Sequence, residues 1–123
     1  MSSEKLAKFK GQKYLCLETY KKNGQGVKTP VWFVVSNQVI YIATAESSGK
    51  VKRLNHNKSV SIAPSNFKGD VKGDRVKGQA FFGSEFELNL TMSLRNKKYG
   101  LLSRIIGMFV SRRGKIISIG IKI

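Results

Sequence analysis

Apolar and polar residues alternate with period two over most of this chain, which predicts strands half-buried against a core. Residues 13–20 read as a strand weighted by Tyr14, Leu15, Cys16 and Leu17. Lys22-Asn23-Gly24-Gln25-Gly26 is a turn signal, because Asn-Gly accepts the positive φ of tight hairpins. A second strand follows over 27–35, and Ser36-Asn37-Gln38 turns it into a third over 39–44, so the three predict a β-meander. Residues 59–63 predict a fourth strand and 75–82 a fifth, with hairpin turn chemistry over 68–74 between them. The last strand covers 115–123, where Ile117, Ile119, Ile121 and Ile123 share one face.

Helical spacing appears in fewer places. Residues 5–9 suit a short helical turn, and a short helix opens at Ser48-Gly49 and closes near His56-Asn57. Residues 84–110 carry mixed signals. Residues 87–94 alternate like a strand, yet Ser84 with Glu87 three positions on is a capping box. Phe86, Leu90 and Leu94 fall at i, i+4 and i+8, and Leu101, Leu102, Ile105, Ile106 and Phe109 form a second helical face. Two helices are therefore expected. The apolar run over 101–110 is too short to span a bilayer and contains Arg104.

The second strand is unusual. Val31, Phe33 and Val35 point one way while Pro30, Trp32 and Val34 point the other, so both faces are apolar at its middle. Such a strand is covered on both sides, and in a single small barrel one cover is a ligand, a helix or another subunit. Pro30 cannot donate to a ladder, so it marks an edge or a bulge.

Composition narrows the class. The chain has 123 residues, is 41% hydrophobic and contains neither repeats nor a dividing linker, which fits one domain over 1–123. A chain shorter than about 150 residues gains from a dimer interface. One cysteine and one histidine give no intrachain disulfide and no zinc set. No stretch reaches a membrane span, and the charges within 1–10 interrupt any signal-peptide core, so a cytoplasmic location is expected. The 23 Lys plus Arg against 7 Asp plus Glu give a net charge of +16, which favours anionic ligands. The basic residues are spread along the chain. They are densest around Lys50, Lys52, Arg53, His56 and Lys58, and again from Arg95 through Lys97, Lys98, Arg104, Arg112 and Arg113 to Lys115, and either cluster suits an anion site.

The first of these clusters offers a phosphate site. Gly49-Lys50 is not a Walker A loop, since Thr44 stands where its first Gly belongs and Val51 where its Ser or Thr belongs. The physics survives without the motif. A helix N-terminus presents unpaired N–H groups, Ser47 and Ser48 add hydroxyls, Lys50 adds a full charge, and Thr44 lies nearby in sequence. A phosphate at Thr44, Ser48 and Lys50 stands beside the plainer reading of Ser48 as an ordinary N-cap and the lysines as solvated surface.

Several segments resemble the flavin and deazaflavin split-barrel superfamily. They are Thr29-Pro30-Val31-Trp32-Phe33-Val34, Tyr41-Ile42-Ala43-Thr44, Ser48-Gly49-Lys50-Val51-Lys52-Arg53-Leu54 and Val60-Ser61-Ile62-Ala63-Pro64. Val76-Lys77-Gly78-Gln79-Ala80 and Lys98-Tyr99-Gly100 resemble later landmarks, so the likeness runs from residue 13 to 123. Within the superfamily, the chain is similar to small pyridoxamine-phosphate-oxidase-like proteins that use the deazaflavin F-420. The resemblance implies a mainly β fold with short helices: a six-stranded antiparallel split barrel that dimerises, with two cofactor sites at the interface. It implies a cofactor phosphate at Thr44, Ser48 and Lys50, with Lys52 and Arg53 as further candidates, and a ring system along Thr29, Pro30, Val31 and Trp32. Gly49-Lys50 replaces the Arg-Lys pair of the pyridoxamine phosphate oxidases themselves, and Thr29 replaces their Arg.

The expected function is an oxidoreductase in which F-420 exchanges hydride with a small organic substrate. The cofactor carries the chemistry, so no side-chain nucleophile or metal is required, and no convincing triad or carboxylate pair appears among the residues. Tyr99 is a candidate proton donor as well as a structural tyrosine. An FMN-binding protein, enzyme or carrier, is the alternative on the same fold. A basic nucleic-acid-binding barrel is the alternative of another class. It would need exposed aromatics beside basic residues on one sheet face, whereas here the aromatics are mixed into the aliphatic core pattern.

Overall fold

A computed structural model describes residues 2–100 and 114–123. The chain order is α1 (Ser2–Ala7), β1 (Tyr14–Tyr20), β2 (Gly26–Val31), β3 (Val34–Ser36), β4 (Val39–Ala45), α2 (Gly49–His56), β5 (Ser59–Ser65), β6 (Val76–Phe82), α3 (Glu85–Tyr99) and β7 (Ile116–Lys122). The strands form one antiparallel sheet in the order β2-β1-β5-β6-β7-β4-β3.

This order forces closure. β2 and β3 are the two edges, yet only Trp32 and Phe33 separate them in the chain. From Val31 to Val34 the backbone reaches about 11 Å at full extension. A flat sheet of this width would hold its edges about 29 Å apart. The sheet therefore curls until its rims meet, and the barrel is split along a seam where the described residues form no ladder.

The fold is mainly β with short helices, as expected, but it has seven strands, not six. The strand expected over 27–35 breaks at Trp32–Phe33, and its halves pair at opposite rims, β2 with β1 and β3 with β4. The expected meander is thus two separate hairpins. The break has a tertiary cause: both backbone polar groups of Phe33 are bound by α3 side chains. The Phe33 N–H donates to Tyr99 Oη at 3.1 Å, and Lys98 Nζ donates to the Phe33 carbonyl at 2.9 Å. Val35, expected to face with Phe33, is 43% exposed beyond the break. Pro30 does lie in an edge strand, where its missing donor is harmless.

The hairpin turns follow their residues. Gly24 has a φ of +88° between β1 and β2. Asn37 and Gln38 both have positive φ in the two-residue loop between the paired Ser36 and Val39, the backbone of a type I′ turn.

The core is the inner face of the barrel. Leu15, Leu17, Ile40, Ile42, Val60, Ile62, Ile119 and Ile121 fill it, joined by Phe9, Phe33 and the α2 residues Val51 and Leu54. Cys16 is buried on the opposite strand face. His56 is exposed at the end of α2. The expected turn over 5–9 is displaced to α1.

The first of the two helices expected over 84–110 is present as α3, with Ser84 as N-cap and both halves of its capping box formed. Its buried face is not the one the apolar spacing suggests. Phe86 is 75% exposed, whereas Thr91 and Arg95 are buried against the sheet. The expected helical face at Leu101–Phe109, with the basic residues Arg104, Arg112 and Arg113, lies outside the described residues. Among the described residues no helix is long and apolar enough to cross a membrane.

Glu87 ties α3 to the barrel. Its carboxylate accepts from the Ser84 N–H at 3.0 Å and from the Tyr41 hydroxyl at 2.7 Å. These two bonds, the backbone one first, hold the carboxyl below its ordinary pKa, while burial and then the bond to Glu87 push Tyr41 up to about 12. A depressed folded pKa gives stability that is complete above the unfolded carboxylate value and lost as pH falls through the folded one. Glu87→Gln is therefore expected to lower the urea midpoint near neutral pH. Its deficit relative to the parent should shrink as pH is taken down through that window, and a pH-independent deficit would contradict the assignment.

Candidate functional site

A cleft of about 300 Å³ opens where the two rims of the sheet meet. Tyr14 comes to it from the start of β1, Pro30 and Val31 from β2, and Trp32 and Phe33 from the joint. Val34 comes from β3, Tyr41, Ala43 and Thr44 from β4, Lys50 from α2, and Thr91 and Arg95 from α3. Pro30, Val31, Trp32, Thr44 and Lys50, five positions that the sequence proposes for a cofactor, thus share one cavity.

The other four stand apart from its lining. Ser48 is the N-cap of α2, its Oγ accepting from the Val51 N–H at 3.4 Å and from Thr44 Oγ1 at 3.4 Å, so it supports the Thr44 end from behind. Arg53 is turned to the barrel, donating from Nε to Thr19 Oγ1 at 2.6 Å. Gly49 makes room for it, since a Cβ there would lie 2.9 Å from Arg53 Nη1. Lys52 is exposed on α2, and Thr29 is half-buried in β2 opposite Leu17.

Among the described residues Lys50 and Arg95 supply the charge of the cleft, and none that lines it is a carboxylate. Burial, and then the nearby Arg53 charge, lowers the pKa of Lys50. Arg95 is only 8% exposed, and burial lowers its pKa as well. Its guanidinium carbon sits 5.0 Å from the centre of the Trp32 ring, and Nη1 is 3.9 Å from the Met92 sulfur. Its Nε is buried without a hydrogen-bond partner. A buried guanidinium without an anion is costly, and that cost is what an anionic ligand relieves. The sequence places Arg95 in a basic cluster suited to an anion site without singling it out; the spacing Glu87, Thr91, Arg95, Tyr99 is the signal that would have done so.

Tyr99 backs the Trp32 wall of the cleft. Its ring stacks on Trp32 at 4.2 Å with an interplanar angle of 8°. Its hydroxyl accepts from the Phe33 N–H and donates to the Lys13 carbonyl at 2.6 Å, with the Phe33 carbonyl at 3.1 Å. Burial is the main reason its pKa rises to about 12. These bonds give the hydroxyl a structural duty at the joint. Beside it, burial brings Lys98, which reaches the same Phe33 carbonyl, down to about 8. Tyr99→Phe is expected to leave the Phe33 N–H unpaired and to cost about 1–3 kcal/mol in urea unfolding. The emission of Trp32, the single tryptophan, should change with it; an unaltered unfolding midpoint would contradict the tie.

No protein-family model and no curated protein matches the chain. Solved structures do. HutZ, a heme storage protein of Vibrio cholerae, superposes with a TM-score of 0.70 at 15% identity, covering 98% of this chain and 87% of its own. A FAD-binding protein of Mesorhizobium loti gives 0.69 at 15% identity, with 100% and 87% covered. A candidate pyridoxamine 5′-phosphate oxidase of Listeria innocua gives 0.63 at 12% identity, with 98% and 90% covered. The chain therefore has the fold of the pyridoxamine-phosphate-oxidase-like split barrels. Identities this low establish the fold alone.

Proposed function

We propose that this protein binds a phosphorylated flavin-type cofactor in the rim cleft and acts as an oxidoreductase on a small organic molecule. The observation that carries the reading is a cleft with two partly or fully buried cations, an aromatic wall and no carboxylate in its lining. Lys50 and Thr44 would hold the phosphate, with Ser48 behind them and Lys52 and Arg53 as outer charges. Thr29, Pro30, Val31 and Trp32 would flank the ring system.

We prefer the deazaflavin F-420 to FMN on the resemblance of the segments, and because a chain of net charge +16 suits the acidic tail of F-420. When bound, the cofactor supplies hydride transfer. The chain's residues bind it, orient it and exclude water from one face of the ring. At about 300 Å³ the cleft is at the small end of ligand pockets. It has room for one end of such a cofactor, so a homodimer whose second subunit walls the remainder belongs to the proposal, as does a cytoplasmic location.

Two other readings receive less support. Among the described residues the cleft lining contains no His, Cys or Met to ligate a heme iron, and of its two tyrosines the Tyr41 hydroxyl is engaged by Glu87. A single-stranded nucleic-acid platform needs aromatics side by side on an open sheet face. Among the described residues, the exposed large aromatics are Phe67 and Phe86, on a loop and a helix.

The test is purification followed by a spectrum and mass analysis of any small molecule carried along, then titration with F-420 and FMN. Saturable binding of either supports the proposal, and the tighter of the two names the cofactor. Binding of neither, together with salt-sensitive RNA binding, would replace it with the nucleic-acid reading.

A further inference from the structure

Arg95 leaves the cleft with one more cation than a phosphate site requires. Thr44 and Lys50 both line the cavity, and the Thr44 hydroxyl is engaged only at 3.4 Å, by Ser48 behind it, so an ammonium and one loosely held hydroxyl are on hand for a phosphate. Arg95 stands in a different setting, on α3 beside Trp32 and Met92. The hydroxyl of the neighbouring Thr91 is already spent, donating to the Glu87 carbonyl at 2.7 Å. That of Tyr99 is spent on Lys13 and Phe33. One guanidinium carries a single positive charge, which balances a single negative charge in a planar group, a carboxylate, and leaves a phosphate dianion half neutralised.

We infer that Arg95 is the receptor for the carboxylate of a second ligand, so that the substrate class is an organic acid whose apolar part rests against Trp32. The inference rests on the reading of the cleft as the ligand site and adds what the second ligand must carry. Arg95 is a binding residue on this assignment. The Trp32–Tyr99 stack fixes the ring over which its guanidinium is held.

Trp32 is the only tryptophan in the chain, so its emission reports binding beside Arg95 directly. The protein is titrated, with and without FMN, with benzoate, its neutral isostere benzamide, and phenyl phosphate. Benzoate is expected to change the emission saturably and to bind at least about tenfold more tightly than benzamide and than phenyl phosphate. Arg95→Gln should erase the preference for benzoate, and Arg95→Lys should restore part of it.

The comparison of benzoate with benzamide on the parent protein needs no variant, so a misfolded Arg95→Gln does not remove the test. Equal binding of benzoate and benzamide overturns the inference. So does tighter binding of phenyl phosphate, or a folded Arg95→Gln that keeps the benzoate preference. If Arg95→Gln weakens FMN and leaves benzoate untouched, the charge serves the cofactor and the inference likewise fails. Failure of the cofactor reading looks different: neither FMN nor F-420 binds, while the benzoate titration still reports on Arg95.

Discussion

Lys50→Ala raises the dissociation constants for FMN and F-420 by about ten- to a hundredfold, the 1.5–3 kcal/mol typical of a hydrogen bond to a charged group. Lys50 is the cation in the part of the cleft lined by Thr44. Burial disfavours its charged form when the cleft has no ligand, as the lowered pKa records. An arriving phosphate reverses that penalty, so the ammonium contributes more than a surface lysine would. The effect should also fall with added salt less than that of Lys52→Ala, because Lys52 is exposed and screened. Titration of both variants at two ionic strengths measures this. Equal affinities for Lys50→Ala and the parent protein would remove the phosphate from this end of the cleft.

Much of the barrel could be read from the chain because period two is a local signal. The alternation of Ile117, Ile119 and Ile121 predicts a core face, and Ile119 and Ile121 do lie in the core; the opposite face, with Ser118 and Gly120, is buried as well, which the alternation does not report. The capping box of α3 was equally local, written in Ser84 and Glu87. The break at Trp32–Phe33 was not legible. Val31, Trp32, Phe33 and Val34 are all apolar, and no glycine or polar residue interrupts them. What ends the strand is Tyr99 and Lys98, 66 and 65 residues away, taking the backbone groups of Phe33.

The candidate site divides along the same line. Residues close in sequence, such as Thr44, Ser48 and Lys50, were grouped correctly in space, since a strand end and a helix start leave them few alternatives. Arg95 was hidden. Apolar spacing on α3 favours the face with Phe86, Leu90 and Leu94, but the helix turns Thr91 and Arg95 inward. A buried arginine pays a desolvation cost that hydrophobic patterning cannot foresee; only the assembled fold shows the guanidinium buried beside Trp32.

The second large effect concerns the barrel itself. Ile62→Ala should destabilise the protein by about 2–5 kcal/mol, a large fraction of the about 5–15 kcal/mol typical of a domain. Ile62 is fully buried in β5, paired with Leu17 of β1 on one side and Val76 of β6 on the other. Truncation removes its burial and leaves a void in the middle of the inner layer, where neighbours on both flanking strands are held by their ladders and cannot collapse inward. Urea unfolding should show a lower midpoint with an unchanged slope. A loss below about 1 kcal/mol would mean that this layer is not the close-packed centre described here.

The two rims of the sheet also bear on how the protein behaves in a crowded solution. An open strand edge invites another chain to add to it, the first step toward ordered aggregates. One rim here holds a proline that interrupts its row of donors, and the other is only three residues long. Neither offers a long unbroken template, so the barrel can remain unsealed along its seam without recruiting foreign strands.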